Sequence, residues 1–186
     1  YVANDAISGG CPSSFPAKLV AFLHARWQHF GGSKESGMVI IPTELIINNG
    51  DVLKDIVLKL ANDHQLSADF IQWLQTANHF CNSLVDRIVP GKLPAADASI
   101  LHETLGFEDS LMIMAEPYSL WAIETKRERT KEILSFASVN PGVKLTTDIS
   151  KYKELKLRLL NATHSFSCAL ALLSGFETVK EAMAAE

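Results

Sequence analysis

No C-x-x-C pair, no H-E-x-x-H and no G-x-S-x-G occurs in this chain, and each absence removes a class of chemistry. Cys11, Cys81 and Cys168 are odd in number and far apart. That excludes a disulfide framework or a paired-thiolate zinc site and fits reduced thiols in a cytoplasmic protein. Cys168 lies among apolar residues and is expected in a core, because free cysteine packs as a small hydrophobe. His24, His29, His64 and His102 lack ligand spacing to acidic or cysteine partners, so no metal is expected. Serine hydrolysis has no nucleophile-elbow motif behind it. No apolar run is long enough to cross a bilayer, and no secretory leader is visible. A formal charge of −4 gives no electrostatic reason to expect nucleic acid or an anionic membrane as partner. The one basic cluster, Lys126-Arg127-Glu128-Arg129, is interrupted by a glutamate and reads as solvated surface. Repeats and low-complexity segments are absent. So is G-x-G-x-x-G; with an opening at Tyr1 rather than Met, the chain is expected to be an excerpt of a longer enzyme.

What remains is a globular composition, 47% hydrophobic and 20% charged over 186 residues, enough for one domain or parts of two. Residues 1–13 are polar and read as loop. Ser14 with Pro16 in the first turn opens a helix carrying Leu19, Phe22, Leu23, Trp27 and Phe30, closed by Gly31-Gly32. Met38–Ile41 reads as a buried parallel strand. Asn48-Asn49-Gly50 reads as a turn, with Asp51 capping a helix through Ala61 whose core face is Leu53, Ile56, Val57 and Leu60. A helix over Ala68–Ala77 turns Phe70, Ile71 and Leu74 inward, and His79–Val89 reads as a strand stopped by Pro90-Gly91. Ala98–Leu105 suits a short helix. Leu111–Met114 and Tyr118–Ile123 read as extended, Thr125–Lys131 as a surface crossing, and Val143–Thr146 as a last strand. From Ser150 the pattern predicts one long helix to Ser174, a break at Gly175 and a short helix from Glu177. Strands alternating with helices imply an α/β fold with a parallel sheet. The composition shifts near Asp148, the best domain boundary.

Two places carry candidate chemistry. Lys156, Asn161 and His164 fall at i, i+5 and i+8 of the long helix, at about 0°, 140° and 80° around an α-helical axis. One broad face then offers an amine to exchange a proton with a carbonyl oxygen, an amide to polarise it, and an imidazole to orient a neighbouring hydroxyl. The same spacing equally suits a surface lysine, a helix asparagine and a core-edge histidine. Asp86 stands near the C-terminal end of a strand, where open α/β sheets gather ligands; a structural pair with Arg87 is the alternative.

Together, the Lys-x4-Asn-x2-His run with its apolar filling and the string Phe80-Cys81-Asn82-Ser83-Leu84-Val85-Asp86-Arg87-Ile88-Val89-Pro90 resemble the polyol-specific long-chain dehydrogenases, the mannitol dehydrogenase family. Pro42-Thr43-Glu44-Leu45-Ile46 and Ser14–Leu19 are similar to the tagaturonate reductase (altronate oxidoreductase) branch. The resemblance implies the later part of a Rossmann-like nucleotide-binding domain over 1–148 and the entry helices of an all-α C-terminal domain over 149–186. It implies NAD as cofactor, a small sugar acid as substrate, Lys156 as acid–base, Asn161 as oxyanion donor, His164 as substrate ligand and Asp86 in substrate contact, with Asn82 shaping the backbone. Mannitol-type members carry an Asp-Asn pair where this chain has Thr43-Glu44. Glu44 cannot donate unless protonated and is expected to bind hydroxyls or set the charge around Lys156. Fructuronate reductase and mannitol 2-dehydrogenase are alternatives within this chemistry, and a non-catalytic assembly module is the alternative outside it.

Overall fold

The computed structural model describes residues 2, 5–7 and 9–185 and divides into two compact units, Tyr1–Thr147 and Asp148–Glu186. The loop expected over 1–13 falls partly on Tyr1, Ala3, Asn4 and Ser8, which lie outside the described residues; the described part holds no helix or strand. In it, the Asp5 carboxylate accepts the backbone N–H groups of Ser13 and Ser14. Those bonds hold its pKa below the ordinary carboxylate range.

In the first unit three helices cover one strand pair. Helix α1 (Phe15–His29) starts after Ser14 with Pro16 in its first turn, where the missing N–H costs nothing. It buries Ala17, Val20 and Leu23. Phe22 and Phe30, on the expected apolar stripe, are exposed, because the inward face lies one position round from the largest side chains. Helix α2 (Asn49–Asp63) buries Leu53, Val57, Leu60 and Ala61. Helix α3 (Ala68–Ala77), capped by the Ser67 hydroxyl accepting from Phe70 N–H, buries Phe70, Trp73 and Leu74. These side chains and strands β1 (Val39–Ile40) and β2 (His79–Phe80) form one core. Each large apolar side chain so buried contributes about 1.5–3 kcal/mol. Phe70 packs edge-on to both His24 and Trp27.

Strand β1 runs parallel to β2. Strand β3 (Ser83–Asp86) pairs antiparallel with β4 (Leu120–Glu124), which pairs parallel with β5 (Val143–Thr146). The two ladders share one kinked segment: Cys81 N–H donates to Ile40 O at 2.9 Å, and Glu124 N–H donates to Asn82 O at 2.9 Å. Consecutive residues thus bond to opposite neighbours. The expected strand over 79–89 is interrupted at Cys81-Asn82 and ends at Asp86. The sheet is mixed rather than parallel, because the chain returns into β4 from the end at which β3 leaves. Along Leu111–Met114, Leu111 closes a turn and Met114 makes an isolated bridge to Gly91, so no strand forms there. Helix α4 (Ala95–Leu105) lies between and buries no residue. Thr125–Lys131 does more than cross the surface: it opens α5 (Glu128–Ile133), and Thr125 and Thr130 are buried. A second core gathers Cys81, Ile123, Leu134 and Val143.

The second unit is helical: α6 (Ser150–Glu154), a π-helical turn over Leu155–Asn161, α7 (Ala162–Leu173) and α8 (Val179–Ala184). The single long α-helix expected from Ser150 therefore changes pitch in its middle. Gly175, at φ 87°, makes the break. Thr178 and Glu181 form a reciprocal capping box for α8, satisfying two end donors at once. Cys168 is exposed rather than core; α7 buries no residue, and its apolar neighbours Phe166 and Leu170 are exposed with it.

Candidate functional site

The π turn determines how the three helical candidates share a face. Its i→i+5 bonding, seen in Ala162 N–H donating to Leu157 O, widens the turn to roughly 4.4 residues. Lys156 and Asn161 then point within about 50° of one another, against about 140° on an α-helix. Three α-helical steps bring His164 to about −10°, so all three side chains fall within about 60°. Sequence spacing anticipated a shared face but not its narrowness. Lys156 and His164 are half-buried and Asn161 is exposed. The His164 Nδ1 lies 2.8 Å from Leu160 O. A carbonyl can only accept, so Nδ1 carries the hydrogen and Nε2 of the neutral ring is left as an acceptor. The outward side of the same turn is held by a Glu154–Arg158 ion pair.

In the α/β unit the organising residue is one that sequence reasoning passed over. Asn49, buried at the first turn of α2, accepts from Ser83 N–H (2.9 Å) and donates to Ser83 O (3.1 Å). Ser83 faces away from β4 at this point, where β1 has already ended. The asparagine amide takes the place of the missing strand partner. The same Nδ2 donates to Pro42 O and Glu44 O, while Oδ1 accepts from Gly50 N–H, and the Ser83 hydroxyl donates to Pro42 O. Thus one side chain clamps the loop bearing Thr43 and Glu44 to the edge of β3. Asn48, at φ 54°, precedes the helix, and Asp51 is not its cap. Instead, Asp51 N–H donates to Asn82 Oδ1, and Asn82 Nδ2 donates to the Asp51 carboxylate. A Cβ on Gly50 would lie 2.5 Å from the Cys81 carbonyl and 2.7 Å from Asn82 N, so only glycine lets α2 begin this close to the strand. The legible signal was Asn-Asn-Gly opposite Cys-Asn-Ser: a buried amide facing a strand without a neighbour.

Beside this clamp lies a cleft of about 530 Å³ lined by Thr43, Asp86, Arg87, Trp121 and Asn140 among others. Asp86 is half-buried at the last rung of β3, paired with Leu120. Arg87 Nε donates to Glu116 O at 2.8 Å. Among the described residues the Trp121 indole N–H has no hydrogen-bond partner. Glu44 is exposed next to Thr43. The cleft offers a carboxylate to accept hydroxyl hydrogens and a hydroxyl and amide to complement it. No described group of three or more His, Cys, Asp or Glu could hold a metal ion, and no described helix is long and apolar enough to cross a membrane.

Residues 7–135 match the family model described as the mannitol dehydrogenase Rossmann domain. Altronate oxidoreductase of Halalkalibacterium halodurans is 45% identical over 175 residues, 94% of this chain and 34% of that protein. The Bacillus subtilis protein of the same name is 44% identical over 180 residues, 97% of this chain and 37% of the relative. The chain thus spans about a third of the length of the curated relatives it matches. Among solved structures, a D-sorbitol dehydrogenase in substrate-free form superposes with a TM-score of 0.70 at 26% identity, over 94% of this chain and 34% of the other. Pseudomonas fluorescens mannitol 2-dehydrogenase, in a ternary complex with NAD and D-mannitol, does so with a TM-score of 0.61 at 26% identity, over 89% of this chain and 31% of the other.

Proposed function

Because this chain belongs to the mannitol dehydrogenase family, we propose that it is part of a cytoplasmic, NAD-dependent oxidoreductase that interconverts tagaturonate and altronate. Supporting that substrate is the 44–45% identity to two proteins named altronate oxidoreductase. In this reading, residues 1–148 form the later part of a Rossmann-like domain and 149–186 the start of a helical domain.

What supports the mechanism is the π turn over Leu155–Asn161, since ideal helical geometry then turns Lys156, Asn161 and His164 toward one face. As the ketone carbon is reduced, charge builds on its oxygen. The Lys156 ammonium donates a proton there, and in the reverse direction the neutral amine takes it back. The Asn161 amide N–H donates to the same oxygen, worth roughly 3 kcal/mol in the transition state. His164 Nε2 accepts from an adjacent hydroxyl and fixes the sugar's orientation. Within the first unit by itself, Asp86 and Glu44 are proposed as groups that accept from sugar hydroxyls, as the family resemblance implies.

A nicotinamide dinucleotide, when bound, supplies the hydride. The N-terminal turn of α2 leaves no room for its pyrophosphate, being filled by the Asn82 side chain and the strand backbone against Gly50.

The test assays the full-length enzyme with tagaturonate, fructuronate and fructose, using NADH and NADPH. Turnover of tagaturonate with NADH, abolished by Lys156→Ala, is expected. Turnover of fructose alone would remove the sugar-acid assignment, and a Lys156→Ala variant keeping most of its activity would remove the acid–base role.

A further inference from the structure

We propose that the Asn49–Gly50 step is a modification site: a spontaneous deamidation site that the fold holds unreactive and that only opening at the start of α2 exposes. It is the one Asn-Gly step in the chain, and glycine, having no Cβ, shields its own backbone nitrogen least from the preceding side chain. The reaction needs only water. The Gly50 nitrogen gives up its proton to solvent and bonds to the Asn49 Cγ. The Cγ–Nδ2 bond breaks, and Nδ2 leaves as ammonia with a proton from water. A second water opens the resulting five-membered imide at either carbonyl, leaving aspartate or isoaspartate. Nothing is oxidised or reduced.

Each group in that reaction is engaged in the folded chain. Asn49 is only 3% exposed. Gly50 N–H donates to Asn49 Oδ1 at 2.9 Å, so its hydrogen faces the side chain, whereas the electron pair that must attack stands perpendicular to the peptide plane. Nδ2 donates to Pro42 O, Glu44 O and Ser83 O, three acceptors that have no proton for a departing amine. One contact favours the reaction: Ser83 N–H on Oδ1 would stabilise the charge of the addition step. It has no effect while the nitrogen is aimed wrongly. Turning the Asn49–Gly50 peptide means moving Gly50 off Cys81, against which there is no room even for a Cβ. Conversion therefore runs through the population in which the first turn of α2 has left β3.

Once converted, the clamp cannot re-form. Aspartate lacks the donor hydrogens, and isoaspartate routes the main chain through Cγ, one carbon longer at the helix start. The loop bearing Thr43 loses its tether, so a brief opening becomes permanent damage to one wall of the cleft.

The experiment incubates the full-length enzyme in mildly alkaline buffer, with and without denaturing guanidinium chloride, and follows each asparagine peptide by mass spectrometry that separates isoaspartate. In denaturant, Asn49 is expected to convert ahead of every other asparagine. In buffer its conversion should be slower by about a hundredfold or more, because local opening sets the reactive population. Leu53→Ala, which removes a buried side chain of α2, should speed conversion in buffer by about tenfold or more. Equal rates with and without denaturant, no lead for Asn49 in denaturant, or no response to Leu53→Ala would each overturn the proposal. Should Leu53→Ala not fold, denaturant below the unfolding transition takes its place, and a rate that does not climb with it refutes the site in the same way.

Discussion

Replacing Asn49 by aspartate changes one NH2 to one oxygen at the centre of the clamp, nearly without altering volume. The native Nδ2 lies 3.0–3.1 Å from three carbonyl oxygens, those of Pro42, Glu44 and Ser83. Glu44 O also accepts from Ile46 N–H and Pro42 O from the Ser83 hydroxyl, so Ser83 O loses most. An ionised carboxylate donates nothing. Two donor hydrogens vanish from a buried site, at about 1–3 kcal/mol each, and a charge is turned toward carbonyl oxygens. A loss of about 4 kcal/mol at neutral pH follows, lowering the thermal midpoint by about 10 °C for a chain of this size. The carboxyl must respond with a raised folded-state pKa, because burial and carbonyl dipoles both oppose its charge. The folded variant then binds more protons than the unfolded chain, whose aspartate titrates near about 3.9. Stability of Asn49→Asp relative to the parent should therefore fall as pH rises through that window and recover toward pH 4. Urea unfolding followed by tryptophan fluorescence reads this directly, since Trp27, Trp73 and Trp121 all belong to the clamped unit. A loss below about 1 kcal/mol, or a difference from the parent that does not vary with pH, would refute the account of Asn49 as a surrogate strand.

Two further outcomes follow from the buried segment between the ladders. Burial pushes the Cys81 thiol up to about 11, whereas Cys11 and Cys168 are exposed. Thiol titration with a chromogenic disulfide near about pH 8 should count two fast groups, the third appearing only on unfolding; three fast thiols would contradict the burial. His79 has its pKa lowered by desolvation and then by Arg127 and Lys54, with Nδ1 2.7 Å from the Thr130 hydroxyl. Its unfolded form binds the extra proton, so its contribution is full above about pH 6.5 and is lost as pH falls below that value. Urea midpoints between about pH 7.5 and 5.5 should drop for the parent and drop less for His79→Gln; equal drops would discount His79.

Periodic helices and short apolar strands were readable because burial imposes the period: α3 and β5 lie where Phe70–Leu74 and Val143–Thr146 placed them. The antiparallel entry of β4 was not readable. A four-residue apolar run such as Leu120–Ile123 has the same pattern in either direction, and only its partner decides. The Lys156–His164 spacing announced a common face, while the π turn that narrows it depends on where backbone carbonyls find donors. Asn49 escaped notice for a similar reason: polar residues beside glycine usually mark turns, and its burial exists only once β3 lies alongside.

Since β3 departs and β4 arrives at the same rung, Asp86 opposite Leu120, the intervening stretch is a closed excursion. Its two stems grip each other beyond the sheet, through Glu116 N–H to Ile88 O and Met114 N–H to Gly91 O. Everything outward of that grip, α4 included, can be lengthened, trimmed or exchanged without shifting a single register in the ladders. The excursion leaves from the rim of the cleft beside Asp86 and Arg87. A protein so built can retailor the mouth of its groove while its scaffold stays untouched.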